Sequence, residues 1–217
     1  MSAPLELALY LVLDTELLGP RDLTSTLAAA LEGGVRVVQL RDKQASRHDL
    51  LTRARRVQSL LSGSGVPLII NDHVDVAAEI GADGVHVGQS DMPVSEVRRL
   101  LAPQAIVGLS ITSLEQLTAH DLALADYVGL GPIFPTATKL DAAPALGLEA
   151  IRRARRQLTV PLVAIGGIDA GNAADVIEAG ADGVAVVSAI CAAADPRAAA
   201  LALSRAVDTG RARRHLG

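Results

Sequence analysis

Gly81-Ala82-Asp83-Gly84-Val85 returns as Gly180-Ala181-Asp182-Gly183-Val184, and in reduced form as Ala125-Asp126-Tyr127-Val128-Gly129. Each copy reads the same way: a helix ends, a short turn follows and an apolar strand begins. Gly suits the left-handed position just past a helix, where a side chain is disfavoured. Working outward from these turns, short apolar runs recur at 7–13, 35–40, 67–70, 84–87, 106–109, 127–130, 162–165 and 183–187. Each is too short for a typical helix, rich in Val, Ile and Leu, and not strictly alternating. That is the pattern of strands buried on both faces of a parallel sheet. Helical stretches lie between them, at 21–32, 47–61, 94–101, 148–158 and 173–179. Strands alternating with helices in this number predict an α/β chain folded as one (β/α)8 TIM barrel over residues 1–217, with an open doubly wound sheet as the alternative. In a barrel the repeated aspartates fall at the N-terminal face and read as turn residues.

Composition agrees. The chain has 217 residues, half of them hydrophobic, which is enough for one barrel with a large core. Its only aromatic residues are Tyr10, Tyr127 and Phe134, so the core must be aliphatic and a base-stacking nucleic-acid platform is excluded. A net charge of −4 creates no polyanion-attracting field. Arg211, Arg213, Arg214 and His215 form a basic tail (209–217), expected to be solvated and frayed. The single cysteine, Cys191, fits a reducing compartment. No signal peptide opens the chain and no apolar run is long enough to span a membrane, so a cytoplasmic protein is expected.

Barrel chemistry sits on the loops after the strands. The second run ends in Gln39-Leu40-Arg41-Asp42-Lys43, and alternation puts Gln39, Arg41 and Lys43 on one side. Two cations and an amide converging on a barrel mouth call for an anionic ligand; a loop with salt bridges to Asp42 is the plainer reading. The third run ends in Asn71-Asp72, and Gly88-Gln89-Ser90-Asp91 follows the fourth. On neighbouring strands, Asp72 and Asp91 can share a hard cation, or can each cap the following helix. Ser110 is a lone hydroxyl after the fifth run. The longest loop, 131–146, contains Thr136-Ala137-Thr138-Lys139, two hydroxyls and a cation suited to oxyanions, and is a candidate lid. The seventh run leads into Gly166-Gly167 and the eighth into Val187-Ser188. Glycine backbone and helix N-termini there suit a phosphate, as barrels often hold between these two loops. His86 reads as a satisfied core histidine. No HExxH, Cys/His cluster or Gly-x-Ser-x-Gly elbow is present.

These stretches, in this order from about Tyr10 to Ile190, resemble the thiamine phosphate synthase family, and the Thr-x-Thr-Lys loop is specific to it. The resemblance implies a transferase that condenses 4-amino-2-methyl-5-(hydroxymethyl)pyrimidine diphosphate with a thiazole phosphate and releases pyrophosphate. It implies that Gln39, Arg41, Lys43, Asn71, Ser110 and Lys139 hold the pyrimidine diphosphate. Leu40 and Asp42 lie within the same binding stretch. Arg41, Lys43, Ser110 and Lys139 become the catalytic candidates. Asp72 and Asp91 bind Mg2+; Thr136, Ala137 and Thr138 meet the thiazole; Gly166, Val187 and Ser188 hold its phosphate. Thr112 departs from the pattern, which often has His there. Partners are then small-molecule substrates, with no nucleic acid and no membrane, and a homodimer is allowed. A thiazole tautomerase of the same superfamily would not need Arg41, Lys43, Asp72 and Asp91. A non-catalytic phosphate sensor would not need paired carboxylates beside cations.

Overall fold

The structure, a computed structural model, describes residues 5–118, 120–136 and 143–216. The strands are β1 Leu9–Asp14, β2 Val37–Arg41, β3 Leu68–Asn71, β4 Gly84–Val87, β5 Ile106–Ile111, β6 Tyr127–Leu130, β7 Leu162–Ile165 and β8 Gly183–Val186. They close in sequence order into a parallel barrel, β8 pairing back onto β1. The predicted barrel is the observed one, and every apolar run supplies its strand. The helices are α1 Thr15–Leu18, α2 Leu23–Glu32, α3 Arg47–Leu61, α4 Val74–Ile80, α5 Val94–Leu100, α6 Gly147–Arg155, α7 Ala173–Glu178, α8 Ser188–Cys191 and α9 Pro196–Leu216. Between β5 and β6, two 3-10 turns, Leu114–Thr118 and His120–Leu124, stand where a helix would complete the alternation.

Strand residues divide by parity. Leu9, Leu11, Leu13, Val38, Leu40, Val85 and Val87 face outward into the aliphatic layer under the helices. Tyr10, Val12, Val37, Ile69, Tyr127, Val163 and Ala185 face inward. Helix starts are fixed locally: Asp22 accepts the Ser25 N–H at 2.8 Å and Ser46 accepts that of Asp49 at 3.2 Å. Gly81 ends α4 in the left-handed conformation the turn repeat predicts, with φ 62°.

The repeated aspartates do lie on the N-terminal face, but each reaches beyond its own turn. Asp83, Asp126 and Asp182 accept the backbone N–H of Leu68, Val107 and Leu162 at 2.8, 2.7 and 2.8 Å. Each thereby pins the start of the preceding strand. Arg98 and Arg155 brace two of them at 2.6 and 2.8 Å and also donate to nearby carbonyls.

The basic tail differs from expectation. Residues 209–216 are the last turns of α9. The helix is anchored by Ala200, Leu203 and Val207, one buried stripe at helical spacing, and lies against α2 and α7. Arg211 pairs with Glu6 at 2.9 Å, Arg213 with Asp175 at 3.1 Å, and Arg214 donates to the Ala181 carbonyl at 3.0 Å. An alanine-rich stripe carries little hydropathy contrast, which is why the tail alone looked unstructured.

Candidate active site

A closed parallel barrel gathers the ends of all its strands on one rim, so residues distant in sequence become neighbours there. Gln39 and Arg41 lie in β2, Asn71 ends β3 and Ser110 lies in β5. Lys43, Asp72, Asp91, Thr136, Gly166 and Val187 sit on the loops that follow strands, and Ser188 opens α8. Ala137, Thr138 and Lys139 lie outside the described residues.

The cations of the second loop are held from two sides. Arg41 pairs with Asp14, its register partner across β1 and β2. Asp14 is 3% exposed, and its other oxygen accepts the Glu16 and Leu17 N–H groups at 3.0 and 3.3 Å, capping α1. A buried carboxylate is tolerable here because two amides and a guanidinium compensate it. Lys43 pairs with Asp72 across to the β3 loop. The plainer reading, salt bridges from Arg41 and Lys43 to Asp42, does not hold. Asp42 is buried and faces the other way, onto Arg53 of α3, and accepts the Ala45 N–H at 3.2 Å. Leu40 is fully buried in the outer aliphatic layer. What Leu40 and Asp42 can offer a ligand is backbone, since their side chains serve packing.

Neither Asp72 nor Asp91 occupies the N-cap position of the following helix. His73 precedes α4 and Pro93 precedes α5, both without a side-chain cap. Asp72 is the one non-glycine residue with positive φ among the described residues, at 61°. Its N–H is tied to the His86 carbonyl at 2.9 Å, so the strain is imposed by pairing with β4. Asp91 turns back to accept the Gly88 N–H at 2.7 Å. Both carboxylates are thus positioned by backbone on adjacent loops. They are hard oxygen donors and number only two; among the described residues no group of three or more His, Cys, Asp or Glu side chains could cage a metal.

Beneath the rim runs a buried polar chain that the sequence reading did not assemble. Gln39 Nε2 donates to the Tyr10 hydroxyl at 2.8 Å, and Tyr10 meets the Tyr127 hydroxyl at 2.7 Å. Tyr127 meets His86 Nδ1 at 2.9 Å, and His86 Nε2 meets Ser110 Oγ at 2.8 Å. Burial pushes His86 down to about 4, with nearby Asp91 opposing only weakly, so the ring is neutral near pH 7. His86 is the satisfied core histidine expected, yet its partners are the barrel's two tyrosines and a rim serine. Gln89 adds a hydrogen bond from its side chain to the Ser110 carbonyl at 2.7 Å. Thr112 is held apart from this chain by Gln116, whose Oε1 accepts the Thr112 N–H at 2.7 Å. Two signals were available: the only tyrosines fall at inward-facing positions, and glycines leave room beside the line, Gly108 against Tyr127 and His86 and Gly129 against His86.

The long loop is anchored at both described ends. Ile133 and Phe134 donate to the carbonyls of Ile165 and Gly166 at 2.9 and 3.0 Å, and Leu146 and Gly147 return to Pro132 and Ile133 at 2.8 and 2.9 Å. This gives Gly166 and Gly167 a second reason to be glycine. With φ at 98° and 65°, a Cβ on Gly166 would meet Pro132 Cα at 2.6 Å, and one on Gly167 would meet Pro135 O at 2.6 Å. The loop packs directly over their backbone. Cys191 is buried and its thiol is pushed up to about 11, which removes it as a nucleophile.

The Thiamine monophosphate synthase family model matches residues 9–190. A thiamine-phosphate synthase from Albidiferax ferrireducens is 53% identical over 202 residues, covering 93% of this chain and 92% of that protein. One from Azorhizobium caulinodans is 49% identical over 211 residues, covering 97% and 100%. Among solved structures, a thiamine phosphate pyrophosphorylase from Pyrococcus furiosus superposes with a TM-score of 0.86 at 35% identity, covering 95% of this chain and 98% of that one. A 3-hexulose-6-phosphate synthase, at 22% identity and a TM-score of 0.68, shares the fold alone. With the match running the length of the barrel and through every rim loop described above, the chain belongs to the thiamine monophosphate synthase family and is a transferase with thiamine-phosphate synthase activity.

Proposed function

We propose that the enzyme joins 4-amino-2-methyl-5-(hydroxymethyl)pyrimidine diphosphate to 4-methyl-5-(2-phosphoethyl)thiazole, or its carboxylated form, with the diphosphate over β2 to β6 and the monophosphate over β7 and β8. The observation that supports this division is the placement of Arg41, Lys43, Asp72 and Asp91 on successive strand ends and loops of the rim, with Lys43 paired to Asp72 and neither rim aspartate at the N-cap position of its helix. Asp72 and Asp91 fit Mg2+: two carboxylates leave room for waters and phosphate oxygens, the donor set this ion prefers. When bound, Mg2+ supplies positive charge against the departing pyrophosphate.

The residues then divide the work. Arg41, oriented by Asp14, and Lys43, oriented by Asp72, stabilise negative charge as the C–O bond breaks and the electron pair leaves with pyrophosphate. Lys139 is assigned to the same charge. The pyrimidinylmethyl cation left behind is met by Gln39, Asn71 and Ser110. The thiazole nitrogen closes the new N–C bond with its own lone pair. No proton moves, so no general base is required, in keeping with a neutral, fully partnered His86. Thr136, Ala137 and Thr138 flank the thiazole, and Gly166, Val187 and Ser188 take its phosphate. The loop 131–146 excludes water, which would otherwise trap the cation. The same reading includes a cytoplasmic enzyme, supported by the lone buried thiol of Cys191, and a homodimer, which sedimentation checks.

Asp91→Ala tests it. The variant is expected to fold normally and to lose turnover with both substrates and Mg2+ present. Wild-type turnover at every Mg2+ concentration would remove Asp91 from the metal site.

A further inference from the structure

A helix N-terminus asks of its cap only an oxygen that accepts one or two N–H groups, and serine or asparagine serves as well as aspartate. Ser46 does this for α3 with a neutral hydroxyl. Asp14 does it for α1 with Oδ1, from a position 3% exposed, where a carboxylate is an expensive choice for capping alone. Its second oxygen, Oδ2, meets Arg41, the residue that the register of β1 on β2 places beside it. The charge of Asp14 thus has one cationic partner among the described residues, and that partner is a guanidinium of the rim.

Arg41 differs in one respect from the arginines of the N-terminal face. Arg98, Arg155 and Arg214 each donate to a backbone carbonyl, of Leu124, Val160 and Ala181, at 2.9, 3.1 and 3.0 Å. They hold the chain together. Arg41 donates to no backbone carbonyl among the described residues, and its bond to Asp14 uses Nη1 alone. A guanidinium carries five N–H groups in one rigid plane, so fixing one edge fixes the direction of the other. Asp14 cannot swing away with Arg41, because Oδ1 is tied to the Glu16 and Leu17 N–H groups. Carboxylate and guanidinium together are neutral. What Arg41 offers an anion is therefore a set of aimed N–H donors more than free charge.

We propose that Asp14 is a positioning residue for the reaction, holding one edge of the Arg41 guanidinium so that the other edge meets the diphosphate. The inference rests on the placement of the diphosphate at Arg41. Asp14 touches no substrate in this account; it acts through Arg41. β1 stands between β2 and β8, so Asp14 lies between the two assigned anion sites, but its charged contact is made on the β2 side only. Its effect belongs to the diphosphate and leaves the thiazole phosphate alone.

Asp14→Asn separates the two duties of the carboxylate. The asparagine oxygen still caps α1, while its amide turns N–H groups toward the guanidinium and releases it. In steady-state assays with both substrates and Mg2+, kcat/KM for the pyrimidine diphosphate should fall about tenfold to a hundredfold, the loss that a misplaced binding group causes, with KM for the thiazole phosphate unchanged. Arg41→Met should lose at least as much, and adding Asp14→Asn to it should lose nothing further. A merely structural Asp14 would lower stability and leave kcat/KM per folded molecule as it was. Wild-type kinetics in Asp14→Asn, or losses that multiply in the double variant, would overturn the proposal. If Asp14→Asn does not fold, Asp14→Ser, which caps with a hydroxyl, is read in the same way. Arg41→Lys leaves Asp14 in place: the lysine keeps the charge but has no second edge to aim, so it should lose as much as Arg41→Met. Wild-type kcat/KM in Arg41→Lys would also overturn the proposal. Wild-type kcat/KM in Arg41→Met would instead remove the diphosphate from Arg41 and overturn the functional reading underneath.

Discussion

At the N-terminal end of the barrel, Asp83, Asp126 and Asp182 each accept the N–H of Leu68, Val107 or Leu162 at the start of the neighbouring strand, and arginines brace the last two. At the C-terminal end, Asp72 sits in a left-handed backbone against Lys43, and Asp91 accepts an amide of its own loop. The residue types are the same and the settings are opposite. The N-terminal end even has a cavity of about 360 Å³ lined by Glu6, Arg155, Asp182, Arg211 and Arg214. Its guanidiniums are already occupied by carboxylates and backbone carbonyls. Charge at that end is satisfied internally and holds strands together. At the rim, the pairs Arg41–Asp14 and Lys43–Asp72 link neighbouring strand ends and loops instead of the strand starts.

This contrast breaks most sharply at Lys43. Its side chain is 48% exposed, so Lys43→Ala should change stability by no more than about 0.5 kcal/mol. Turnover is expected to fall by roughly a hundred- to a thousandfold, the loss typical of removing one charge-stabilising group. Steady-state kinetics beside a thermal melt checks both, and a stability loss with intact kinetics would make Lys43 one more brace.

The next effect belongs to the interior between the two ends. His86 is held at about 4 in the folded protein, against an ordinary value near 6.5. Below pH 6.5 the unfolded chain takes up a proton that the folded chain refuses. Folding is therefore undisturbed by this group above pH 6.5 and loses stability as pH falls toward 4, by about 3 kcal/mol in total. Denaturant unfolding at pH 6.5 and 4.5, with the His86→Gln difference taken at each, isolates this loss. An equal slope in both proteins would remove it.

Asp126→Ala should cost about 2 kcal/mol, since the Val107 N–H and part of Arg98 lose their acceptor. Turnover per folded molecule should stay as in wild type; a specific kinetic defect would mean the two ends are coupled. The smallest change is expected at Arg213, half-exposed against Asp175 and Glu178. Arg213→Ala should shift stability by no more than about 0.5 kcal/mol, and urea titration would expose a larger role for the last turns of α9.

Much of this was legible beforehand. All eight strand runs, five of the helices and the rim residues could be named from apolar run length, turn residues and position after each strand, while α9 was not. What escaped had no local mark. Asp14 reads as a helix cap, and it is one, but its burial against Arg41 follows from the register of β1 on β2. Asp72 and Asp91 looked equally able to cap helices until the backbone moved those caps to His73 and Pro93. Tyr10, His86 and Tyr127 are far apart in the chain, and nothing local says that they touch.

Sequence by itself determined the alternation of strand and helix, the end of the barrel that carries chemistry and the residue types placed there. These depend on local pattern and on a chain rule, that parallel strands deliver their ends to one face. Tertiary structure alone decided which charged groups pair with which. It also decided which buried polar groups meet in one hydrogen-bonded line. Both depend on cross-strand register and barrel closure, which bring together groups that no local pattern connects.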